Sequence, residues 1–484
     1  MAYVRPDPPN GGLRAWSVVL GSFLLQMSSF GYVNACGTFQ FYYRTVMLRE
    51  KTTSQLAWIT TLQIAIFFAC GPAVGKLVDV YGSRPVIAPF AALAVFSLGM
   101  LSMCTEYYQV LLAQGVAFGI AVSGTCLPAI VTVSQWFSTK RGLAVGLASC
   151  GSSVGGVFYP IMVSRLIKSL GFSESIKWSM FVVGSTMLAG VLLCTTPFPP
   201  QHKLKKMHAH AEEENSQPTP CKGPEDIEKG DMDSLETPPD SPVSETSTPQ
   251  MNVEERKKGL SVLLRREALG WITFVLGTFF FMCVTPTYHV VYHHEQYADR
   301  WSFLAPFNYL PLMSLASGVS LDLVQYTLAV TNAGSIFGRV GLGAMSDKLG
   351  PFNVMCAVTM FTATSVLGFW LPISYTPTTV GLFIFGAVYG MASGGFISLI
   401  APCVVSLAKS QLDNLGIRFG LVCIALSLGA LVGLPAMASV KDQQVDPRNF
   451  EELIIFTGVV LAVGSVCMVA ARVMKGGTKL LTKV

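Results

Sequence analysis

Twelve long apolar runs are the feature that most limits how this chain can fold. A helix needs about 20 mostly apolar residues to cross the hydrocarbon core of a bilayer. The runs cover approximately residues 16–43, 55–77, 85–104, 108–136, 142–167, 178–197, 269–292, 319–345, 352–371, 378–407, 416–439 and 452–473. Because lipid offers no hydrogen-bond partners, each run has to satisfy its own backbone as a helix. The sequence therefore predicts an all-α integral membrane protein with twelve transmembrane helices.

The composition excludes most other classes of protein. Of the 484 residues, 51% are hydrophobic and 13% are charged, whereas soluble domains carry roughly 25% charged residues. The sequence has no nucleotide-binding glycine loop, no metal-ligand spacing and no nucleophile–base arrangement. The net charge is only +5 and forms no basic block suited to nucleic acid. We therefore expect no enzyme activity, no cofactor, no metal and no nucleic acid. The expected partners are the lipid bilayer and a small-molecule substrate.

A polar segment at about 198–268 separates six of the runs from the other six. It is dense in charged residues, Pro, Ser and Thr and almost lacks aromatic residues, so we expect it to be disordered. Its four Ser/Thr-Pro pairs could be sites for a kinase, or the segment could be a plain tether. The predicted divisions are a tail at 1–15, a six-helix bundle at 16–197, the loop at 198–268, a second six-helix bundle at 269–473 and a tail at 474–484.

The long central loop and a basic C-terminal tail also predict the orientation. Lys and Arg concentrate on the cytoplasmic side of membrane proteins, and the tail carries Arg472, Lys475, Lys479 and Lys483. Both termini are therefore expected in the cytoplasm. We expect a monomer in the plasma membrane, with the vacuolar membrane as the alternative.

The two halves of the chain repeat a loop motif. The pattern G-x-x-x-D-x-x-G occurs at 75–82, after the second run, and at 343–350, after the eighth. A basic residue followed by several glycines then opens both the fifth and the eleventh run. Repeated halves are typical of secondary transporters, whose substrate site lies between the halves. The predicted gating residues are Gly75, Asp79, Gly82, Arg84, Arg141, Asp347 and Arg418.

The chemistry of this motif suits a contact that forms in one conformation and breaks in another. Glycines allow two helices to approach closely. The Asp could accept hydrogen bonds from the N-terminus of a neighbouring helix, or it could pair with the Arg. A static turn with a helix cap is the alternative interpretation.

The motif residues Gly75, Asp79, Gly82 and Arg84 resemble the loop signature of the major facilitator superfamily. Further segments, at 10–16, 39–43, 135–151 and 332–339, are similar to the monocarboxylate transporter-like family and to its fungal branch. This resemblance implies two pseudo-symmetric six-helix bundles that work by alternating access.

The sequence departs from that family at two positions. Animal lactate carriers of the family place a Lys midway along helix 1, and the stretch 32–37 has none. They also carry an Asp one turn before an Arg on helix 8. Here the Arg is kept as Arg339, but the acidic position is Ser335. Lactate-type proton symport through those groups is therefore not expected, and coupling to protons stays open.

Candidate substrate-binding residues follow from the cost of polar groups in a membrane. Arg339 could pair with a carboxylate substrate, or it could reach the interface or pair with Asp347. His289 could accept a proton near neutral pH, or it could be a hydrogen-bonded interface residue. The resemblance implies that helices 1, 4, 7 and 10 line the cavity. The full candidate set is Arg339, Asn34, Asn332, Tyr288, His289, Tyr389 and Ser393.

These observations favour a secondary active or facilitative transporter of a small organic acid or acidic metabolite. One alternative is an efflux transporter of a secondary metabolite, and another is a riboflavin-like vitamin facilitator. From a different class, the chain could be a non-transporting nutrient sensor that signals through its central loop. The sequence leaves open the substrate and the direction of transport.

Overall fold

The computed structural model describes residues 8–199, 202, 253–282, 305–408, 415–433 and 450–477. Within these ranges the chain is helical apart from short connections. The helices of the first half are α1 (Leu13–Met47), α2 (Thr53–Ala69 and Gly71–Tyr81), α3 (Ser83–Leu101), α4 (Tyr107–Trp136), α5 (Arg141–Leu170) and α6 (Phe172–Leu193). Those of the second half are α7 (Val253–Met282), α8 (Ala305–Ala316), α9 (Leu321–Leu349), α10 (Pro351–Tyr375), α11 (Thr379–Leu407), α12 (Leu415–Gly433) and α13 (Glu451–Gly476).

Most of these helices are suited to a bilayer by length and composition. Among the described residues, nine are long and apolar enough to cross a membrane, and shorter apolar helices lie at Glu267–Met282 and Leu415–Ala430. Many large apolar side chains on the outer faces are exposed, including Phe337 and Phe181. In water such surfaces would favour association, whereas lipid solvates them. An all-helical membrane architecture follows.

Local sequence signals explain where several helices start and bend. Thr52 and Gln55 form a reciprocal capping box at the start of α2, which satisfies two backbone N–H groups that the first turn leaves unpaired. The interruption of α2 at Cys70 precedes Pro72, whose ring cannot donate a backbone hydrogen bond. Gly82 (φ +87°) and Gly350 (φ +94°) join α2 to α3 and α9 to α10. Both motif glycines thus occupy a backbone conformation that other residues rarely adopt.

Each half packs mainly within itself, and a few helices join the halves. In the first half α1 packs against α5 and α6, and α3 packs against α4 and α6. In the second half α9 packs against α11, and α13 packs against α7 and α10. The main contacts between the halves are α2 with α12 and α5 with α9. The contacts that join the halves therefore lie mainly along these two helix pairs.

The second half starts differently from the sequence prediction. Helix α7 begins at Val253, inside the range 198–268 that the composition predicts to be a disordered loop. Its first turns are charged and its later turns apolar, so the hydropathy pattern detects only the later part. Residues 203–252 of that range, and residues 283–292 of the predicted seventh run, lie outside the described residues.

Helix α8 lies where the sequence analysis places a loop between two membrane runs. Its prolines, including Pro311, and the Ser and Gly residues that follow it favour a loop interpretation. In the structure Leu310 and Met313 are fully buried. The Trp370 indole Nε1 of α10 lies 3.3 Å from the Met313 sulfur. Burial of one apolar face therefore stabilises a helix that local sequence signals disfavour.

Candidate gating and substrate site

Asp79 joins the first half to the second at one end of the molecule. Its Oδ1 accepts a hydrogen bond from the backbone N–H of Gly416 at 3.0 Å, and its Oδ2 accepts one from Ile417 at 3.0 Å. These are N–H groups of the first turn of α12, which have no partner within their own helix. The carboxylate also lies at the positive end of the helix dipole. Asp79 therefore caps a helix of the opposite half.

Asp347 makes the same contact in the other direction. Its two carboxylate oxygens accept hydrogen bonds from the backbone N–H groups of Gly142 at 2.7 Å and Leu143 at 3.0 Å. These residues form the first turn of α5, whose N-cap Lys140 makes no side-chain cap. The motif Asp was predicted either to accept hydrogen bonds from a helix N-terminus or to pair with the Arg. The structure contains the contact with a helix N-terminus in both motifs.

Glycines bring the backbones close enough for these caps. A Cβ atom on Gly75 would overlap the Gly416 carbonyl oxygen, and one on Gly343 would lie 2.5 Å from the Gly142 carbonyl oxygen. Real Cβ atoms essentially never approach a backbone atom under 3.0 Å. We call the contact of 71–79 with 416–423 the Asp79 seam, and the contact of 336–347 with 142–152 the Asp347 seam. Both seams require glycine for helix-to-helix approach.

The two seams share one register. Gly416 and Gly142 occupy matching positions, because each donates its N–H to the motif Asp of the other half. Arg141 therefore precedes the matched glycine, whereas Arg418 follows it. Their order along the chain predicts that these two arginines are equivalents, because each opens a run. The hydrogen bonds place them at different points of the helix turn.

The predicted gating arginines contact helix ends or rings beside the motif carboxylates, and the Arg141 charge also interacts with the Asp347 carboxylate. Arg84 Nε donates to the Val191 carbonyl at 3.1 Å, and its Nη2 donates to the Leu192 carbonyl, so it caps the C-terminal end of α6. This geometry fits the affinity of cations for helix C-termini. Arg84 therefore holds two helices of the first half together.

Arg141 lies just before the Asp347 seam, and Arg418 belongs to the Asp79 seam but contacts α7. Arg141 Nε donates to the Ser134 and Phe137 carbonyls at 3.1 and 2.9 Å, at the C-terminal end of α4. The Arg418 guanidinium carbon lies 5.9 Å from the centre of the Trp271 ring of α7. That distance is within the range of a cation–π contact.

Arg339 lies inside the Asp347 seam. Its side chain is 4% exposed. Nη1 crosses to the first half and donates to the Ser149 carbonyl at 2.5 Å and to the Ser152 hydroxyl at 2.6 Å. Nε donates to the Ser335 hydroxyl at 3.1 Å, one turn back on its own helix. Within the described part of the chain, the hydrogen-bond acceptors of Arg339 are neutral oxygens. The cation therefore forms a bridge between the halves.

Asn34 and Asn332, predicted from opposite halves, meet at one point. A Cβ atom on Gly156 of α5 would lie 2.8 Å from Asn332 Oδ1 and 2.9 Å from Asn34 Nδ2. Asn34 Nδ2 also donates to the Ser152 carbonyl at 3.4 Å, and Asn332 Nδ2 donates to the Leu328 carbonyl at 3.0 Å. Arg339 lies two helical turns from Asn332 on α9, and both face α5. The structure therefore brings three of the predicted substrate residues to the boundary between the halves.

Of the other predicted substrate residues, Tyr389 and Ser393 contact neighbours within the second half. Tyr389 is fully buried in the second half, where its ring packs against Phe385 and against Phe307 of α8. The Ser393 hydroxyl donates to the carbonyl of Gly390 on its own helix at 3.0 Å. Tyr288 and His289 lie outside the described residues.

Three serines that contact this region were not among the predicted site residues. Ser149 and Ser152 bind Arg339, and the Ser153 hydroxyl donates to the Ser335 hydroxyl at 3.1 Å. All three lie on α5 within one turn and a half. A cluster of hydroxyl residues in an otherwise apolar membrane helix is the signal that could have identified them, since such groups usually find partners.

Each seam also contains a native cysteine. Cys150 is 4% exposed, and its thiol donates to the Ile336 carbonyl of α9 at 3.6 Å. Cys423 is 1% exposed, and its Cβ would lie 2.7 Å from a Cβ on Gly71. Alkylation of these two thiols therefore reports separately whether each seam has opened.

The fold and the paired caps define a class of membrane transporter, and comparisons with known proteins agree. The model of the Major Facilitator Superfamily matches residues 18–433. A solved structure, that of the human organic anion transporter MFSD10 (TETRAN), has the same fold with a TM-score of 0.60. It is 14% identical and covers 94% of this chain and 99% of that protein. The chain belongs to the Major Facilitator Superfamily.

Several relatives are similar over nearly the whole chain. The MFS-type transporter hasB of Aspergillus fumigatus is 45% identical over 99% of this chain and 93% of its own length. The Fujikurins efflux protein of Gibberella fujikuroi is 31% identical, covering 96% of this chain and 84% of its own length. The Agnestins efflux protein AgnL12 of Paecilomyces divaricatus is 31% identical, covering 99% and 92%.

These similarities settle the class of protein. The chain is a multi-pass membrane transporter and not an enzyme, as the composition predicts, and the twelve-helix fold is confirmed. The narrower resemblance to monocarboxylate transporters is not what the comparisons support. The relatives named above are fungal transporters and efflux proteins.

Proposed function

We propose that this chain exports a small organic metabolite, most simply a secondary metabolite, across the plasma membrane. The observation that carries the proposal is the similarity, over almost the full length, to proteins named for the efflux of particular compounds. This replaces transport of a small organic acid in an unspecified direction, which the sequence favoured, with the efflux alternative that stayed open.

The seams support alternating access as the mechanism. The seam contacts run from the motif Asp residues inward, and about 22 Å of helix separates Asp347 from Asn332 at 1.5 Å per residue. With Asp347 at one face of a hydrocarbon core about 30 Å thick, Asn332 lies beyond the middle of the membrane. We infer that the Asp79 and Asp347 end is cytoplasmic and closed in this conformation. Export then requires both caps to break so that cargo can enter from the cytoplasm.

The polar groups between the halves favour a cargo with an acidic or hydrogen-bonding group. A buried cation is costly unless an opposite charge or several hydrogen bonds compensate it. When the seam opens, Arg339 loses its two acceptors on α5, and an anionic or strongly accepting group on the cargo would replace them. Asn34 and Asn332 supply amide donors and acceptors from both halves. Roles for Tyr288 and His289 remain predictions.

A metabolite comparison tests the direction and identifies the cargo. Cell contents and medium would be compared by untargeted mass spectrometry among the parent strain, a deletion strain and the deletion strain carrying the wild-type gene. We expect one compound to accumulate inside the deletion strain, to fall in its medium, and to return to the parental pattern on complementation. A nutrient left unconsumed outside the deletion strain would instead indicate import and overturn the proposal.

Two variants of the complementing gene separate transport from sensing. A chain lacking 205–252, a deletion that ends before α7 begins at Val253, should still export, because the seams and the residues between the halves are intact. A Gly343→Val chain should not, because the added side chain would overlap the Gly142 backbone. Loss of function on deletion of the loop alone would favour the sensor.

A further inference from the structure

The N-terminal tail is anchored to the loop that precedes α5. The Asn10 side-chain oxygen accepts hydrogen bonds from the backbone N–H of Ser138 at 2.6 Å and from that of Thr139 at 2.9 Å. Its amide nitrogen donates to the Ser138 hydroxyl at 2.7 Å, and its backbone N–H donates to the Trp136 carbonyl at 3.1 Å. The φ of Asn10 is +58°, a conformation that Asn tolerates better than most residues.

A ring contact reinforces this anchor. The Trp16 and Phe137 rings lie 5.3 Å apart in an edge-to-face arrangement. Trp16 is in the first turn of α1, and its backbone N–H donates to the Gly12 carbonyl. The segment from Asn10 to Trp16 and the α4–α5 loop therefore form one unit, which joins two stretches far apart in the sequence.

The start of α5 is therefore held at two places by side chains from outside the helix. Asn10 holds the N–H groups of Ser138 and Thr139 just before the helix, and Asp347 holds those of Gly142 and Leu143 in its first turn. Lys140, at the N-cap position between them, makes no side-chain cap. Asn10 belongs to the same half of the molecule as α5, whereas Asp347 belongs to the other half.

We propose that Asn10 is a positioning residue for the gate, which holds the α4–α5 loop so that the Gly142 and Leu143 N–H groups point at Asp347. Without its side-chain oxygen, the first turn of α5 has to be ordered by Asp347 alone, and the closed Asp347 seam is weakened. The inference concerns closure of the seam and does not depend on the cargo or on the direction of transport.

The test is a double-mutant cycle on the full chain in native membranes. Asn10→Ala, Asp347→Ala and the double variant would be treated with N-ethylmaleimide, and labelling of Cys150 would be quantified by peptide mass spectrometry. Loss of a side-chain hydrogen bond costs about 1 kcal/mol, which is enough to shift a two-state equilibrium about fivefold. We expect Asn10→Ala to raise the labelling rate of Cys150 about fivefold, and to add less than about twofold in the Asp347→Ala background.

Two further variants distinguish positioning from a general loss of stability. Asn10→Asp keeps the accepting oxygen and should restore labelling close to the wild-type rate. In an Asp79→Ala background, Asn10→Ala should keep its full effect, because Asp79 caps the other seam. An equal effect of Asn10→Ala in all three backgrounds, or no effect in the wild-type chain, would overturn the proposal.

Discussion

The two seams between the halves have the same backbone arrangement and different side-chain chemistry. In both, a glycine four residues before the motif Asp meets the glycine whose N–H the Asp accepts. Eight residues before the Asp, however, the Asp79 seam has Gly71 and the Asp347 seam has Arg339. Gly71 lies against Cys423, whereas Arg339 donates to Ser149 and Ser152.

This difference indicates that closing the gate and binding the cargo depend on different residues. Closure requires only close backbones and two carboxylate caps, so both seams retain those parts. A buried cation with neutral acceptors does not stabilise the closed seam, because removing the cation from water costs more free energy than hydrogen bonds to neutral oxygens recover. Its presence in one seam therefore suggests that the Asp347 seam also serves the cargo, while the Asp79 seam serves only closure. Four sets of substitutions can test whether the two seams differ in this way.

The largest effect is expected from filling a seam. In Gly343→Val the new side chain would collide with the Gly142 backbone, and Gly341→Val on the same helix has no neighbour within 4 Å. Overpacking of this kind costs enough to change an equilibrium about tenfold or more. We expect alkylation of both Cys150 and Cys423 to accelerate by that factor in Gly343→Val and to change little in Gly341→Val. Faster labelling of Cys150 alone would mean that the seams open independently.

Replacing the buried cation should affect transport more than closure. Arg339→Met keeps most of the side-chain volume and removes the charge. We expect export of the compound found in the metabolite comparison to fall about tenfold, since hydrogen bonds to charged groups contribute about 1.5–3 kcal/mol. Thermal stability of the purified protein should not decrease, and Cys150 should remain protected. Unchanged export would show that the asymmetry between the seams has no role in transport.

Neutralising either motif carboxylate should weaken closure by a similar amount. Asp79→Asn and Asp347→Asn each keep one accepting oxygen and lose the charge that favours a helix N-terminus. We expect labelling of Cys150 and Cys423 to accelerate about threefold to fivefold in each, with the protein folded and inserted. The double variant should exceed both. Protection equal to wild type in Asp79→Asn would remove the argument that the cap closes the gate.

The smallest effect is expected from an arginine that lies beside a seam. Arg84 binds the C-terminal end of α6 within the first half, so Arg84→Gln should lower the melting temperature slightly. It should change the labelling of either seam cysteine by less than about twofold, since surface-type cation contacts with helix ends contribute about 0.3–1 kcal/mol. An effect as large as that of Asp79→Asn would place Arg84 in the gate itself.

Much of the gate was predictable because its parts are local motifs. The G-x-x-x-D-x-x-G repeat indicates the glycines, the carboxylates and a helix N-terminus as one possible partner. The motif does not indicate which N-terminus, because Asp79 and Gly416 are separated by 337 positions. Arg141 and Arg418 were matched by order along the chain, but Arg141 lies one residue before the glycine that its Asp caps and Arg418 lies two residues after it.

The candidate substrate residues show where local reasoning is insufficient. Arg339, Asn34 and Asn332 were singled out because polar groups in a membrane helix are costly, and they converge between the halves. Tyr389 and Ser393 satisfy the same criterion, but the Tyr389 ring packs against aromatic rings of the second half, and the Ser393 hydroxyl donates to a carbonyl of its own helix. Hydropathy cannot identify the face of a helix when nearly all of its faces are apolar.

The sequence by itself determined that this protein crosses a membrane many times in two repeated halves, because helix length, low charge and a repeated loop motif are local properties. Only the tertiary structure decided which helix ends the carboxylates cap and which glycines carry backbone contacts. It also decided that the buried Arg339 bridges the halves in the Asp347 seam, whereas the Asp79 seam has Gly71 at the matching position. Those features depend on the register between helices hundreds of residues apart. That register is set by side-chain packing across the two halves and not by the composition of any one helix.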